Sequence, residues 1–398
     1  MTVFNSLGSN YNLNFVFRAL FASNNQIYKE KLGVFLAQKY VGQVVLIYKG
    51  REALRLALRA SNVKGATVAI CGYTCFAVYD AIVKEGYGVE YLDIEKNTLH
   101  FTYDTFKKSV ENNPKIKVVI IQNTLGYPCE IESIARFCKE NKIILIEDLA
   151  HSIGSVYPNK QEAGTVGDFT VLSFSQDKVI DGISGGALIV RNQAFSVQNV
   201  EQAFSNVPTK KQFIDRLYPL FTFKIRMTYG FFGIGKLYHA LLKKFQLLSN
   251  PMSDSGEIHR LPAWYCSLIY TEFLNLEKNL AHRRAIAALY LEKFQNKALI
   301  SVIDRPIPTS SNVRFPLMLN NRESLISYLK KKKIFVSDIW YDSPIAPKQF
   351  LSQTNYTNQC PRADSIATLM LNLPTHKNVS EKKAQKIIAE INQWLTLQ

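Results

Sequence analysis

The 398-residue chain has no apolar run long enough to span a bilayer, so no transmembrane helix is expected. The opening Met1-Thr2-Val3-Phe4 lacks the basic start of a secretory signal, and the apolar patch from Phe15 to Phe21 is short and broken by Arg18. Cysteines are few: Cys71, Cys75, Cys129, Cys138, Cys266 and Cys360 lie scattered without a C-x-x-C pair. That spacing argues against a disulfide framework or a zinc site, and predicts free buried thiols in a reducing cytoplasm and no metal. No internal repeat or low-complexity tract is present. Acidic residues are scarce, with 32 Asp and Glu against 48 Lys and Arg, a formal net charge of +16. Such an excess suits polyanionic small substrates, anionic lipid or nucleic acid.

What is present reads as a large α/β enzyme-sized body. Strand patterns at 67–71, 88–91, 118–122, 143–147, 169–174 and 186–190 alternate with helical patterns at 52–61, 77–85, 103–112 and 130–141. This alternation predicts a mostly parallel central sheet covered by helices on both faces. A long helical stretch from Ala263 to Phe294 follows, and a smaller C-terminal α+β domain closes the chain. There we expect a strand at 313–319 and helices at 322–331 and 381–397. The expected divisions are an N-terminal segment 1–45, a large domain 46–204, a basic and aromatic insertion 205–257, a helical connection 258–298 and the small domain 299–398.

Ligands of open α/β sheets bind beyond the carboxyl ends of the strands. Thr74, Asn123, Asp148 and Ser173 fall there, from four different strands. Lys178 follows Ser173 by five residues, and His151 follows Asp148 by three. A lysine for a Schiff base, an aspartate to keep a pyridine nitrogen protonated and hydroxyls for a phosphate are the groups that pyridoxal 5'-phosphate chemistry requires.

The ordered motifs Gly50-Arg-Glu-Ala-Leu54, Tyr73-Thr74, Glu147-Asp-Leu-Ala-His151, Ser173-Phe-Ser-Gln-Asp-Lys178 and Gly185-Gly186 resemble the DegT/DnrJ/EryC1/StrS family. Further similarity runs through Arg314-Phe-Pro-Leu317, Trp340-Tyr341 and Asn372-Leu-Pro-Thr-His376. These are fold-type-I, pyridoxal-phosphate-dependent aminotransferases that act on keto sugars, mostly nucleotide-linked, with glutamate as donor. The resemblance implies that Lys178 holds the cofactor covalently and acts as the base. It implies that Asp148 pairs with the ring nitrogen and that His151 lies near the phenolic oxygen. The phosphate would sit on the amides of Gly50, Arg51 and Glu52 and the hydroxyls of Thr74 and Ser173, with Asn123 as a further polar contact. Tyr73, Arg260 and Tyr341 are the substrate candidates, and a homodimer with a shared active site is implied.

Three departures stand out. Lys49-Gly50-Arg51 replaces the frequent Ser-Gly-Thr, so an arginine would take the place of a phosphate hydroxyl. Cys75 stands where an aromatic residue commonly stacks on the ring, leaving Tyr73 or Phe76 for that role. Ile258-His259-Arg260 replaces an Asn-Tyr-Arg segment that reaches the partner subunit. The insertion 206–250 is not explained by transamination. It reads either as a solvated basic flap, loosened by Gly230, Gly233 and Gly235, or as an amphipathic element on the inner face of a membrane. Nucleic acid is not expected, for no recognition signature accompanies the charge. Competing functions are a sugar dehydratase or other lyase on the same cofactor, and a non-catalytic scaffold. Lys178, which such dehydratases replace by histidine, argues against the first.

Overall fold

The computed structural model describes residues 2–195, 197, 200–252, 256–294, 300, 303, 306–337 and 339–398. The boundary expected at 298/299 lies outside these residues. Its centre is a nine-stranded sheet: β1 (Gln43–Ile47), β2 (Thr67–Cys71), β3 (Gly88–Leu92), β4 (Ile116–Gln122), β5 (Ile144–Asp148), β6 (Phe169–Ser173), β7 (Gly186–Val190), β8 (Ser205–Asn206) and β9 (His259–Arg260). The spatial order is β8-β9-β1-β7-β6-β5-β4-β2-β3. Strands β2 to β6 run parallel, whereas β7 is antiparallel to both β6 and β1. Strands β2, β5, β6 and β7 are buried along their whole length, which is why their sequences are nearly continuous Val, Ile, Leu and Ala rather than alternating.

Register builds the site edge. Gln122 pairs with Asp148 across β4 and β5, and Ser173 pairs with Gly186, which also pairs with Ile47. The chain therefore delivers a carboxylate, a hydroxyl and two glycine-bearing turns to one end of the sheet. Helix Gly50–Ser61 leaves β1 there and packs on β6 and β7.

The expected strands and helices of the large domain appear within two residues of their places, and β2, β7 and helix Tyr103–Asn112 match at both ends. Strand β1 was not expected, and the boundary placed at 45/46 cuts through it. Its five residues, Gln-Val-Val-Leu-Ile, are too short a run to separate from the preceding helix by periodicity. The helical stretch from Ala263 divides at Asn275 into Ala263–Leu274 and Leu276–Phe294. In the small domain Arg314–Met318 pairs antiparallel with Met370–Pro374.

The insertion corrects an expectation. Instead of a glycine-loosened flap it forms two helices, Thr209–Thr228 and Ile234–Lys244. Gly230 and Gly233 form the turn, where Gly233 has φ 74°. Gly235 lies within the second helix, where a Cβ would come 2.6 Å from the Ile225 carbonyl oxygen and the Tyr229 backbone. That glycine closes the helix pair rather than loosening it.

Candidate active site

The Lys178 loop is clamped from below by the N-terminus. Asp177 turns with φ 63°, and its carboxylate accepts from the Ser9 amide at 3.1 Å and the Ser9 hydroxyl at 3.0 Å. Asn10 Nδ2 donates to the Lys178 carbonyl at 3.1 Å and to Asp181 at 3.0 Å, while Tyr11 Oη donates to Asp181 at 2.7 Å. Arg226, from the first insertion helix, binds the carbonyls of Leu7, Gly8 and Tyr11. The lysine side chain is thus aimed by residues far away in sequence.

Burial pushes the Lys178 ammonium down to about 8; Cys75 and Asp148 oppose this and Arg314 adds to it. Nζ lies 4.5 Å from the centroid of the Trp340 ring. On the neighbouring strand, burial raises the Asp148 carboxyl, against the Ala150 amide that donates to Oδ1 at 2.9 Å and against the Lys178 charge. A further positive group beside this carboxylate would act in the same sense as Lys178 and draw it down.

His151 is buried, and burial, Lys178 and Arg314 together hold its imidazole well below the usual range, so the ring is neutral. Nδ1 accepts from the Leu125 amide at 3.2 Å and faces the Tyr341 hydroxyl at 3.1 Å, which puts the ring proton on Nε2. Tyr341 Oη in turn accepts from Gln122 Nε2 at 2.7 Å, and Thr74 donates its hydroxyl to Gln122 Oε1. Thr74, Gln122, Tyr341 and His151 form one buried polar chain. The Trp340 ring stacks on His151 at 5.0 Å and 17°, with the Arg314 guanidinium 3.9 Å from its centroid. Ile345–Ala346 pairs with Thr74–Cys75, so a small-domain loop closes over the large-domain site.

The cradle lies one strand further. A Cβ at Gly50 would come 2.7 Å from Ser173 Cβ and 3.0 Å from its Oγ. At Gly186 it would meet Gly50 N at 2.6 Å and Lys49 C at 2.7 Å. Two glycines therefore let the start of helix Gly50–Ser61 close on Ser173, and a helix start presents amides that suit a dianion. The Glu52 carboxylate points elsewhere, accepting from His259 N at 2.8 Å and facing Nδ1 at 3.2 Å. The Arg51 guanidinium lies 3.5 Å from Asp80 Oδ2 and 3.4 Å from the Met252 carbonyl.

Lys178, Asp148 and His151 are thus brought together, with Tyr341 bonded directly to His151 and Thr74 linked to Tyr341 through Gln122. Other expected residues have different duties. Asn123 spends its amide on Tyr157 Oη at 3.0 Å and the Cys129 amide at 3.1 Å. Tyr73 donates to the Tyr341 carbonyl at 2.9 Å, and Phe76 stacks on Phe350 at 4.8 Å. Arg260 sits on edge strand β9, held by the carbonyls of Glu201 and Gln202 at 2.9 and 3.0 Å. Glu147, beside Asp148 in the motif, accepts from Gly164, Val166, Gly167 and Tyr157 and is structural. Gln122, Arg314 and the strap Ser9–Tyr11 were missed as site residues. Trp340 was noted only as part of a motif, and nothing in its local sequence says which ring it faces.

The DegT/DnrJ/EryC1/StrS aminotransferase family model matches residues 22–392. The chain belongs to this family. It is therefore a pyridoxal-phosphate-dependent aminotransferase by family, with the matching fold. Among relatives, UDP-4-amino-4,6-dideoxy-N-acetyl-beta-L-altrosamine transaminase of Campylobacter jejuni (serotype O:23/36) is 24% identical over 358 residues, 87% of this chain and 84% of that one. GDP-perosamine synthase of Escherichia coli O157:H7 is 22% identical over 361 residues, 90% and 88% of the two chains. A putative sugar aminotransferase of Streptococcus pneumoniae, solved with pyridoxal phosphate, superimposes with a TM-score of 0.71 at 19% identity, covering 96% and 95%. The residues of this DegT-family chain fit the cofactor: a lysine amine of lowered pKa, a carboxylate on the adjacent strand and a glycine-lined cradle against Ser173. Among the described residues no helix is long and apolar enough to cross a membrane.

Proposed function

We propose that this aminotransferase moves an amino group from L-glutamate to the keto group of a nucleotide-linked sugar, serving polysaccharide, glycolipid or secondary-metabolite biosynthesis. It would act as a cytoplasmic homodimer. The observation carrying the reading is the pair of Lys178 and Asp148, delivered by adjacent strands and each perturbing the other's charge. Pyridoxal phosphate, when bound, supplies the carbonyl that takes up the amino group and the electron sink that acidifies the neighbouring C–H.

The protein's own residues supply the rest. Gly50, Ser173 and the first amides of helix Gly50–Ser61 would hold the phosphate, and Asp148 would keep the ring nitrogen protonated. Lys178, with its amine neutral in part near neutral pH, would take and return the proton at the substrate carbon. The Nε2–H of neutral His151 can donate to an oxygen, while Trp340 and Tyr341 shut out water. A net charge of +16 suits a substrate carrying a diphosphate, as the names of the UDP- and GDP-linked relatives also suggest. Arg260, anchored at the sheet edge by the Glu201 and Gln202 carbonyls, would serve the partner's site. The test is a screen of nucleotide-linked keto sugars with glutamate, reading 2-oxoglutarate and amino-sugar nucleotide. Turnover of simple keto acids but of no keto sugar would refute the substrate class.

A further inference from the structure

The insertion's second helix carries more apolar surface than its packing uses. Helix Ile234–Lys244 buries Gly235 and Leu242 against the first insertion helix. Ile234, Leu237, Leu241 and Phe245 recur every three or four residues along another stripe, and all four are exposed. Phe231 and Phe232, in the turn before it, are 60% and 92% exposed, so the stripe continues round the hairpin tip. Unpaired apolar surface of this extent on a soluble body marks an interaction site.

Charge decides the partner. Residues 216–250 contain no Asp or Glu. Arg216 and Arg226 are spent internally, on the carbonyls of Leu20 and Ala22 and on the N-terminal strap. Lys224, Lys236, Lys243 and Lys244 remain exposed around the apolar stripe. A second copy docking through the same face would oppose lysine to lysine. Nucleic acid would pair the lysines but leave Ile234, Leu237 and Leu241 in water. An anionic bilayer satisfies both: headgroups meet the lysines while the Phe and Leu side chains enter the acyl boundary.

We propose that the hairpin 209–245 seats this enzyme on an anionic membrane surface, with Phe231, Phe232 and Leu237 inserting and Lys236, Lys243 and Lys244 contacting headgroups. The seat is rigidly joined to the catalytic loop, for Arg226 holds the strap whose Ser9, Asn10 and Tyr11 fix Asp177, Lys178 and Asp181. Docking therefore fixes how the active site faces the membrane, whichever sugar is its substrate.

The test is co-sedimentation of the full-length holoenzyme with vesicles of phosphatidylcholine alone or mixed with phosphatidylglycerol. Binding is expected to the mixed vesicles only, and to fall as salt rises. The triple variant K236Q/K243Q/K244Q should weaken binding by roughly 100-fold, since each lysine near such a surface contributes about five-fold. The variant F232S/L237S should abolish pelleting even at low salt. All five sites are exposed, so circular dichroism and aminotransferase activity in solution should remain those of the parent. Equal partitioning of parent and variants would overturn the proposal. So would loss of the dimer by F232S/L237S in lipid-free size exclusion, which would assign the face to a second copy, or retention on RNA rather than on vesicles.

Discussion

Capture of the cofactor by Lys178 should follow a titration far below that of an ordinary lysine. Only the neutral amine can attack an aldehyde, so the capture rate of cofactor-free protein should rise with pH through a midpoint of about 8 and then level off. At about pH 7 an amine of pKa about 8 is roughly one-tenth neutral, whereas one at the reference 10.5 is neutral in about three parts in ten thousand. The site therefore gains about 300-fold in reactive amine, equivalent to about 3 kcal/mol against the charged form. The same shift sets a stability slope. The folded pKa is below the unfolded one, so the unfolded chain binds more protons between about 8 and 10.5, and cofactor-free stability rises with pH across that window. Lys178→Met should abolish the slope and stabilise the cofactor-free protein at neutral pH. Arg314→Met, which removes a charge that depresses Lys178, should move the capture midpoint upward. Stopped-flow absorbance at a series of pH values measures the midpoint. A value near 10, or a downward move in Arg314→Met, would refute the electrostatic reasoning.

Gly186→Ala places a methyl 2.6 Å from Gly50 N and should cost about 1–3 kcal/mol in urea unfolding while weakening cofactor affinity; an unchanged midpoint would contradict the close-approach argument. The Glu52 carboxylate raises the His259 pKa above 6.5, so this contact stabilises fully below that pH and is lost as pH rises through the raised value. Glu52→Gln should flatten the pH dependence of thermal melting in that range. Of the three tryptophans, Trp340 alone faces Lys178, so cofactor binding should quench fluorescence mainly from it. Trp340→Phe should lose most of the quench while Trp394→Phe keeps it.

The parallel sheet was legible because its strands are buried on both faces and read as apolar runs punctuated by amphipathic helices. Asp148 and Ser173 were legible as strand ends, and His151 and Lys178 as residues three and five positions beyond them; register carries that spacing into space. The strap was hidden: Ser9, Asn10 and Tyr11 lie 168 to 171 residues before their partners in the chain. Trp340 escaped for the same reason, since only the crossing of Ile345–Ala346 onto Thr74–Cys75 brings it to His151. The insertion was misjudged because glycine was read as a helix breaker. At Gly235 the missing side chain serves packing between two helices, which propensity cannot foresee.

The most direct measurement is borohydride reduction of the purified holoenzyme, followed by mass mapping of its peptides. A cofactor mass fixed on the peptide containing Lys178, and absent from Lys178→Ala, is the expected result. A colourless protein that takes up no added pyridoxal phosphate, or a label on another lysine, would contradict the account.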